Sequence, residues 1–239
     1  MNINLTLLKN SMTCLEHRHI GSLVLVNDVV TDSRKVTPGC LFVAIKGDKF
    51  DAHHFLDDVV KQGAAALVVE RVAGTLSIPT VVVPDTRIAL GEIARYWRSQ
   101  FNLPVIAVTG SNGKTTVKEM IASILSVQYG ADFSLATRGN LNNEIGVPQT
   151  LFCLNEHHRA AVVELGMNHP GEIAHLAAIA RPTVGLVNNA QREHQEFMQS
   201  VEAVAKENGA VLQNLPEDGI VALAWSPASP NVSTRRCCA

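Results

Sequence analysis

The chain has 239 residues, 46% hydrophobic, 18% charged and 5% aromatic, which is too apolar and too weakly charged for a disordered chain. With 20 Lys plus Arg against 22 Asp plus Glu, the net charge is −2, and no basic excess exists to neutralise a nucleic-acid backbone. No apolar run approaches the roughly 20 residues that span a bilayer, and Met1–Asn10 is too mixed for a secretion signal. Cysteines 14, 40, 153, 237 and 238 lack CxxC spacing, so they read as reduced cytosolic thiols rather than a disulfide frame or zinc site. At roughly 150 residues per domain, one or two domains are expected.

In chain order, the short β-branched runs Leu23–Val26, Leu41–Ile45, Ala66–Val69 and Thr80–Val83 suit buried strands. Between them, His54–Gln62 carries Phe55, Val59 and Val60 on one helical face and stops at Gly63. Residues 1–85 therefore read as a small α/β unit. Residues 86–103 read as a connecting helix, with Ile88, Leu90, Ile93, Ala94 and Trp97 as its stripe over Thr86–Phe101 and Pro104 beyond its end. A second unit, 104–224, alternates strands (Val105–Thr109, Ala160–Glu164, Val184–Val187, Ile220–Ala224) with helices (Lys114–Tyr129, Gly171–Ala180, Val201–Leu212). That alternation predicts an α/β fold with a parallel sheet covered on both faces. Residues 225–239 have no periodicity and read as a disordered tail.

The strongest chemical signal is Val-Ile-Ala-Val-Thr-Gly-Ser-Asn-Gly-Lys-Thr-Thr, residues 105–116, a strand entering a glycine-bounded loop before a helix. Gly110 and Gly113 let the loop amides, with Ser111 and Asn112 between them, approach phosphate oxygens. The helix beginning near Lys114, Thr115 and Thr116 adds its positive dipole end. The Lys114 ammonium would reach the terminal phosphates, and the Thr115 hydroxyl would hold Mg²⁺. Glu164, at the carboxyl end of an apolar strand, is the second metal-holding candidate. His194 follows another strand, although a lone histidine there reads more simply as a surface loop residue. Thr137–Pro148 packs three asparagines into four positions, which fits either recognition of a polar ligand or turn and cap chemistry.

Four stretches taken together resemble the Mur ligases of peptidoglycan synthesis: Thr-Gly-Ser-Asn-Gly-Lys-Thr-Thr, Gly-Asn-Leu-Asn-Asn-Glu-Ile-Gly-Val-Pro, Glu-Leu-Gly-Met-Asn-His-Pro-Gly-Glu-Ile and Asn-Asn-Ala-Gln-Arg-Glu-His. Upstream, Thr-Asp-Ser-Arg-Lys-Val-Thr-Pro-Gly-Cys-Leu-Phe-Val-Ala-Ile-Lys-Gly resembles that family's UDP-binding N-terminal domain, and the likeness runs from about residue 15 to about 223. The resemblance implies a small α/β UDP-binding domain followed by an incomplete P-loop ATPase domain. It implies a cytoplasmic, monomeric, ATP- and Mg²⁺-dependent ligase that joins D-Ala-D-Ala to UDP-MurNAc-tripeptide through an acyl phosphate. Lys114 would stabilise the moving phosphoryl group, Thr115 and Glu164 would hold the first Mg²⁺, and His194 would take the second metal. Asn142, Asn143, Asn168 and His169 would line the muropeptide and phosphate cleft, and Ser33 and Arg34 would contact the UDP moiety.

Two departures follow from the same comparison. Many members carry a carbamylated lysine fourteen residues after the metal histidine; that position here is Asn208, with Lys206 two residues earlier, and no carbamate is assigned. The family pattern also stops near residue 223, where Trp225–Ala239 begins. That break reads as a frameshift or truncation, and the expectation is a chain with little or no ligase activity alone. The alternative is a non-catalytic fragment that binds nucleotide or UDP-muropeptide. An unrelated P-loop kinase or GTPase is disfavoured, because no guanine-reading N-K-x-D motif occurs.

Overall fold

The computed structural model describes residues 1, 3–18, 24–47, 49–72, 76–191 and 200–223. The chain opens with β1 (Ile3–Asn4), α1 (Leu5–Lys9), β2 (Glu16–Arg18), β3 (Leu25–Val26) and β4 (Val29–Val30). Next come β5 (Leu41–Val43), α2 (Leu56–Lys61), β6 (Ala66–Val69), β7 (Thr80–Val82) and α3 (Thr86–Arg98). The second half runs β8 (Val105–Thr109), α4 (Lys114–Tyr129), β9 (Ser134–Ala136), α5 (Gly146–Phe152) and β10 (Ala160–Glu164). It ends with α6 (Glu172–Ala180), β11 (Val184–Val187), α7 (Val201–Gly209) and β12 (Ile220–Leu223).

Two five-stranded sheets organise these elements. The first has the order β2-β7-β6-β5-β4 and is parallel except for β2 at its edge. A small antiparallel pair, β1 with β3, stands beside it. The second sheet, β12-β11-β8-β10-β9, is wholly parallel. Its first strand in sequence, β8, sits at the centre, with the chain departing to β9 and β10 on one side and to β11 and β12 on the other. That reversal makes the carboxyl end of β8 the topological switch point, where open α/β sheets place their ligands. All five residues of β10 are buried, as expected of an apolar strand covered on both faces.

α3 belongs to both cores. Asp85 starts it, its carboxylate accepting from the N–H groups of Arg87 (2.7 Å) and Ile88 (3.0 Å). Ala89, Leu90 and Ile93 pack with Leu41, Val43 and Val68 of the first sheet. The next residue, Ala94, packs with Val105, Leu151 and Leu176 of the second unit. Trp97 touches both cores and donates through Nε1 to the Leu154 carbonyl at 3.1 Å. The buried Arg98 guanidinium donates to the carbonyls of Ala180 (3.1 Å), Phe101 (2.6 Å), Leu103 (3.2 Å) and Arg181 (3.3 Å). Further links are an ion pair between Arg87 and Glu144 and a 3.3 Å hydrogen bond from Gln149 Nε2 to Thr31 Oγ1.

The expected elements recur with local differences. Lys114–Tyr129 and Val184–Val187 keep their boundaries. Leu41–Ile45 shortens to Leu41–Val43, Thr80–Val83 to Thr80–Val82, and residues 52–55 form a 3₁₀ turn ahead of α2. The helix expected over Val201–Leu212 ends at Gly209 and continues as 3₁₀ from Ala210 to Asn214. β9 and α5 come from stretches without a strand or helix expectation. β9 is three residues of Ser-Leu-Ala, too short for a period, and α5 carries Pro148 in its first turn, where a missing N–H costs nothing. Leu23, Ala224 and the expected tail, 225–239, lie outside the described residues.

Candidate functional site

The loop after β8 is tight. Counting back six from Lys114, Val108 stands where the general phosphate-loop pattern has its first glycine, and Val108 is buried within β8. Gly113 has φ +72°, in the left-handed region, and a Cβ there would lie 2.9 Å from Asn188 Nδ2. At Gly110, with φ +137°, a Cβ would meet the Asn189 backbone nitrogen at 3.0 Å. Both positions therefore demand glycine for conformation and for space.

Three of the loop amides already have partners. The Gly110 N–H donates to Asn208 Oδ1 (2.9 Å), Ser111 N–H to the Asn189 carbonyl (3.2 Å) and Asn112 N–H to Asn189 Oδ1 (2.9 Å). Asn188 Nδ2 and Asn189 Nδ2 donate in return to the Asn112 carbonyl, at 2.7 and 2.9 Å. Ser111 Oγ accepts from Gln191 N–H at 2.8 Å. The segment after β11 thus braces the loop from the side.

The first α-helical bond of α4 is Val117 N–H to the Gly113 carbonyl, and no side chain caps this end. The N–H groups of Gly113, Lys114, Thr115 and Thr116 precede that bond, so they are the open donors of the helix start. They sit at the positive end of a 16-residue helix, beside the switch point. Lys114 Nζ folds back onto the carbonyls of Gly110 (2.6 Å) and Ser111 (3.3 Å), within the same loop. Thr115 and Thr116 are exposed.

Glu164 ends β10 next to the loop: it pairs in register with Val108, two residues before Gly110. Its side chain is 2% exposed. Oε1 accepts from Asn142 Nδ2 at 2.9 Å, whereas Oε2 is buried with no hydrogen-bond partner among the described residues. A buried, half-satisfied carboxylate is costly unless a cation sits beside it. Among the described residues no group of three His, Cys, Asp or Glu gathers into a metal centre. A single carboxylate oxygen without a partner instead fits Mg²⁺, which keeps waters and substrate phosphates as most of its ligands.

The remaining expected residues separate into groups. Asn143 Oδ1 accepts from the N–H groups of Ile145 (3.2 Å) and Gly146 (2.8 Å), which fixes the start of α5. Asn168 and His169 lie exposed on the turn before α6, where their N–H groups donate to Glu172 Oε2 at 2.6 and 3.1 Å. Burial raises the Glu172 carboxyl, but these donors and the His169 ring outweigh it and hold it below its ordinary value. Ser33 and Arg34 form a 3₁₀ turn capped by Asp32, whose carboxylate is held well below the usual range by the Arg34 guanidinium and N–H. The Gln149–Thr31 bond brings that turn's segment to the side of α5, near the asparagine-rich loop. His194 lies outside the described residues.

Asn208 and Asn189 are bracing residues whose contacts with the loop no local pattern displays. Asn208 is 1% exposed; its carbonyl accepts from Thr109 Oγ1 at 3.1 Å while its Oδ1 takes Gly110 N–H. Next to it, Glu207 accepts from Gly171 and Ile173 N–H at 2.9 and 3.0 Å, so α7 ties the start of α6 to the phosphate loop.

The Mur ligase middle domain matches residues 108–233, more than half of the chain, and the Mur ligase family catalytic domain matches 26–98. The chain belongs to the Mur ligase family. It is 50% identical over 200 residues to the UDP-N-acetylmuramoyl-tripeptide–D-alanyl-D-alanine ligase of Escherichia coli, covering 84% of this chain and 43% of that protein. The ligase of the same name from Haemophilus influenzae is 47% identical over 198 residues, covering 82% of this chain and 43% of that protein. Among solved structures, MurF from Acinetobacter baumannii superposes with a TM-score of 0.85 at 36% identity over 93% of this chain and 49% of that one. MurF from Thermotoga maritima, in complex with ADP, gives 0.77 at 31% identity over 85% of this chain and 47% of that one. The chain thus spans a little under half the length of these Mur ligases. The middle-domain match includes the phosphate loop, Glu164, the asparagine-rich loop and Asn208, and the other match includes Ser33 and Arg34.

Proposed function

We propose that this chain carries the nucleotide and UDP-substrate sites of an ATP-dependent ligase that adds D-Ala-D-Ala to UDP-MurNAc-tripeptide. The reading places the work in the cytoplasm, on small-molecule substrates and without nucleic acid. Among the described residues no helix is long and apolar enough to cross a membrane. The observation that carries the reading is the pairing, at one switch point, of an uncapped helix start that carries Lys114 with a buried carboxylate that has one oxygen bare.

In the reaction so assigned, a carboxylate oxygen of the peptide bonds to the γ-phosphorus of ATP and the bond to ADP breaks. The amine of D-Ala-D-Ala then attacks the acyl carbon, phosphate leaves, and the amine gives up a proton as the amide forms. The N–H groups of residues 113–116 bind phosphate oxygens, while Lys114 leaves its two carbonyls to follow the charge on the transferred group. Thr115 and Glu164 would hold Mg²⁺, which when bound neutralises phosphate charge, and His194 would serve a second metal. The turn at Ser33 and Arg34 is assigned to the UDP moiety, and Asn142, Asn143, Asn168 and His169 to the cleft around the peptide and phosphates. The relatives' greater length makes binding, rather than turnover, the property that tests this chain's own residues.

Titration of the chain with a fluorescent ATP analogue and Mg²⁺ should show saturable binding that Lys114→Ala weakens by about tenfold or more, as expected for a lost charge-assisted phosphate contact. Equal retention by wild type and variant, or by neither, would overturn the reading.

A further inference from the structure

We infer that Asn142 is the positioning residue of Glu164: it takes one carboxylate oxygen so that the other is presented to a divalent cation. The inference deepens the proposed function and rests on Glu164 being the cation-holding carboxylate. The geometry is specific. Asn142 Nδ2 donates to Oε1 at 2.9 Å, and Oε2 is the oxygen left buried with no hydrogen-bond partner among the described residues. A carboxylate without that donor can turn its plane about its last side-chain bond; with it, one angle of the plane is selected before a cation arrives.

The donor is itself held. The Asn142 carbonyl accepts from Gly166 N–H at 2.8 Å, so loop and strand end are joined by backbone as well as side chain. The Asn142 carboxamide lies over Gly166 so closely that a Cβ there would come within 2.9 Å of its Cγ and Nδ2. From the other side, Thr137 Oγ1 accepts from Glu164 N–H at 3.0 Å. The Thr137 carbonyl accepts from Lys118 Nζ at 2.9 Å, a fully buried lysine one turn along α4 from Lys114. The segment 137–142 therefore grips Glu164 at its backbone and at its head, and Lys118 fastens that segment to the helix that begins at the phosphate loop. A glycine at 166 and a donor at 142 are needed together for this arrangement.

The test uses the whole chain with ATP and Mn²⁺, following bound Mn²⁺ by electron paramagnetic resonance, and measures nucleotide affinity separately in EDTA. Asn142→Leu keeps the approximate volume and removes the donor; Asn142→Ala removes both. Gly166→Ala keeps the donor and pushes it aside. The expected result is an apparent Mn²⁺ dissociation constant raised about tenfold in all three variants, with nucleotide affinity in EDTA reduced far less. Wild-type Mn²⁺ binding in the variants would overturn the inference while leaving the role of Glu164 intact. Equal loss of Mn²⁺ and of metal-free nucleotide affinity would reduce Asn142 to a structural part and also overturn it. Failure of wild type itself to retain Mn²⁺ with ATP would remove the proposed role of Glu164, and this inference with it.

Discussion

Asp51 shows how one side chain organises the N-terminal unit. Its Oδ1 accepts from the N–H and the Nδ1 of His53 (3.0 and 2.7 Å), and its Oδ2 meets the Arg71 guanidinium. His53 Nε2 accepts from Glu70 N–H at 2.9 Å, so the ring proton must sit on Nδ1, facing Asp51. Burial alone would raise the Asp51 carboxyl, but Arg71 and His53 outweigh it and hold it well below the ordinary carboxylate range. A depressed carboxyl contributes stability that is complete above the unfolded value of about 3.9 and lost as pH falls below it. Asp51→Asn should therefore lower the melting temperature by a constant amount between pH 6 and 8, with the gap to wild type closing below about pH 4. A gap that widens in acid would contradict the assignment. At this same scale the strand, glycine loop and helix start are legible, because strand, glycines, lysine and helix are contiguous over 105–116. Glu164 was readable because it ends an unbroken apolar run. The braces were not: Asn189 and Asn208 reach the loop from 77 and 98 residues away, and hydrogen bonds at such separations leave no periodic trace.

At the scale of elements, length decided what could be read. α4 and β11 carry their own pattern over enough residues to fix both ends. β9 has three residues and takes its place from parallel pairing with β10, while α5 is a helix because Asn143 starts it and Val147 and Leu151 are buried. α4 also carries an apolar strip that is not buried within the described residues: Met120, Ile124 and Val127 are 62, 66 and 90% exposed. Spaced at helical intervals on one face, they invite association through solvent-exposed apolar area. β12 adds Ile220, Val221 and Leu223, all exposed, at the edge of the second sheet. Val127→Lys should change stability by less than about 0.5 kcal/mol, as is usual for an exposed position, yet reduce concentration-dependent self-association in sedimentation velocity. Unchanged association would show that the α4 face takes no part in it.

Over the whole molecule, α3 is the structural link between the two sheets, and Arg98 is its most heavily used side chain. Four carbonyls from the end of α3, the approach to β8 and the end of α6 share one guanidinium. Burial and the nearby Arg181 pull its pKa down from the usual arginine value, which marks how little water reaches it. Arg98→Met leaves those carbonyls without their donor and should cost about 3 kcal/mol in denaturant unfolding, far above a surface substitution. A cost below about 0.5 kcal/mol would mean that the two sheets do not depend on this junction. The alternation of strands and helices revealed the α/β class and the parallel second sheet, whereas the sharing of α3 between cores required three-dimensional packing to appear.

The central claim is that Mg²⁺ and ATP meet at the carboxyl end of β8, between the start of α4 and the end of β10. Backbone hydrogen exchange with and without Mg²⁺ and ATP tests it most directly, because it reads the individual amides at the start of α4. Protection should appear at residues 113–116 and around Glu164, with the first sheet unchanged. Exchange at 113–116 that is indifferent to saturating nucleotide, or protection confined to the first sheet, would contradict the account.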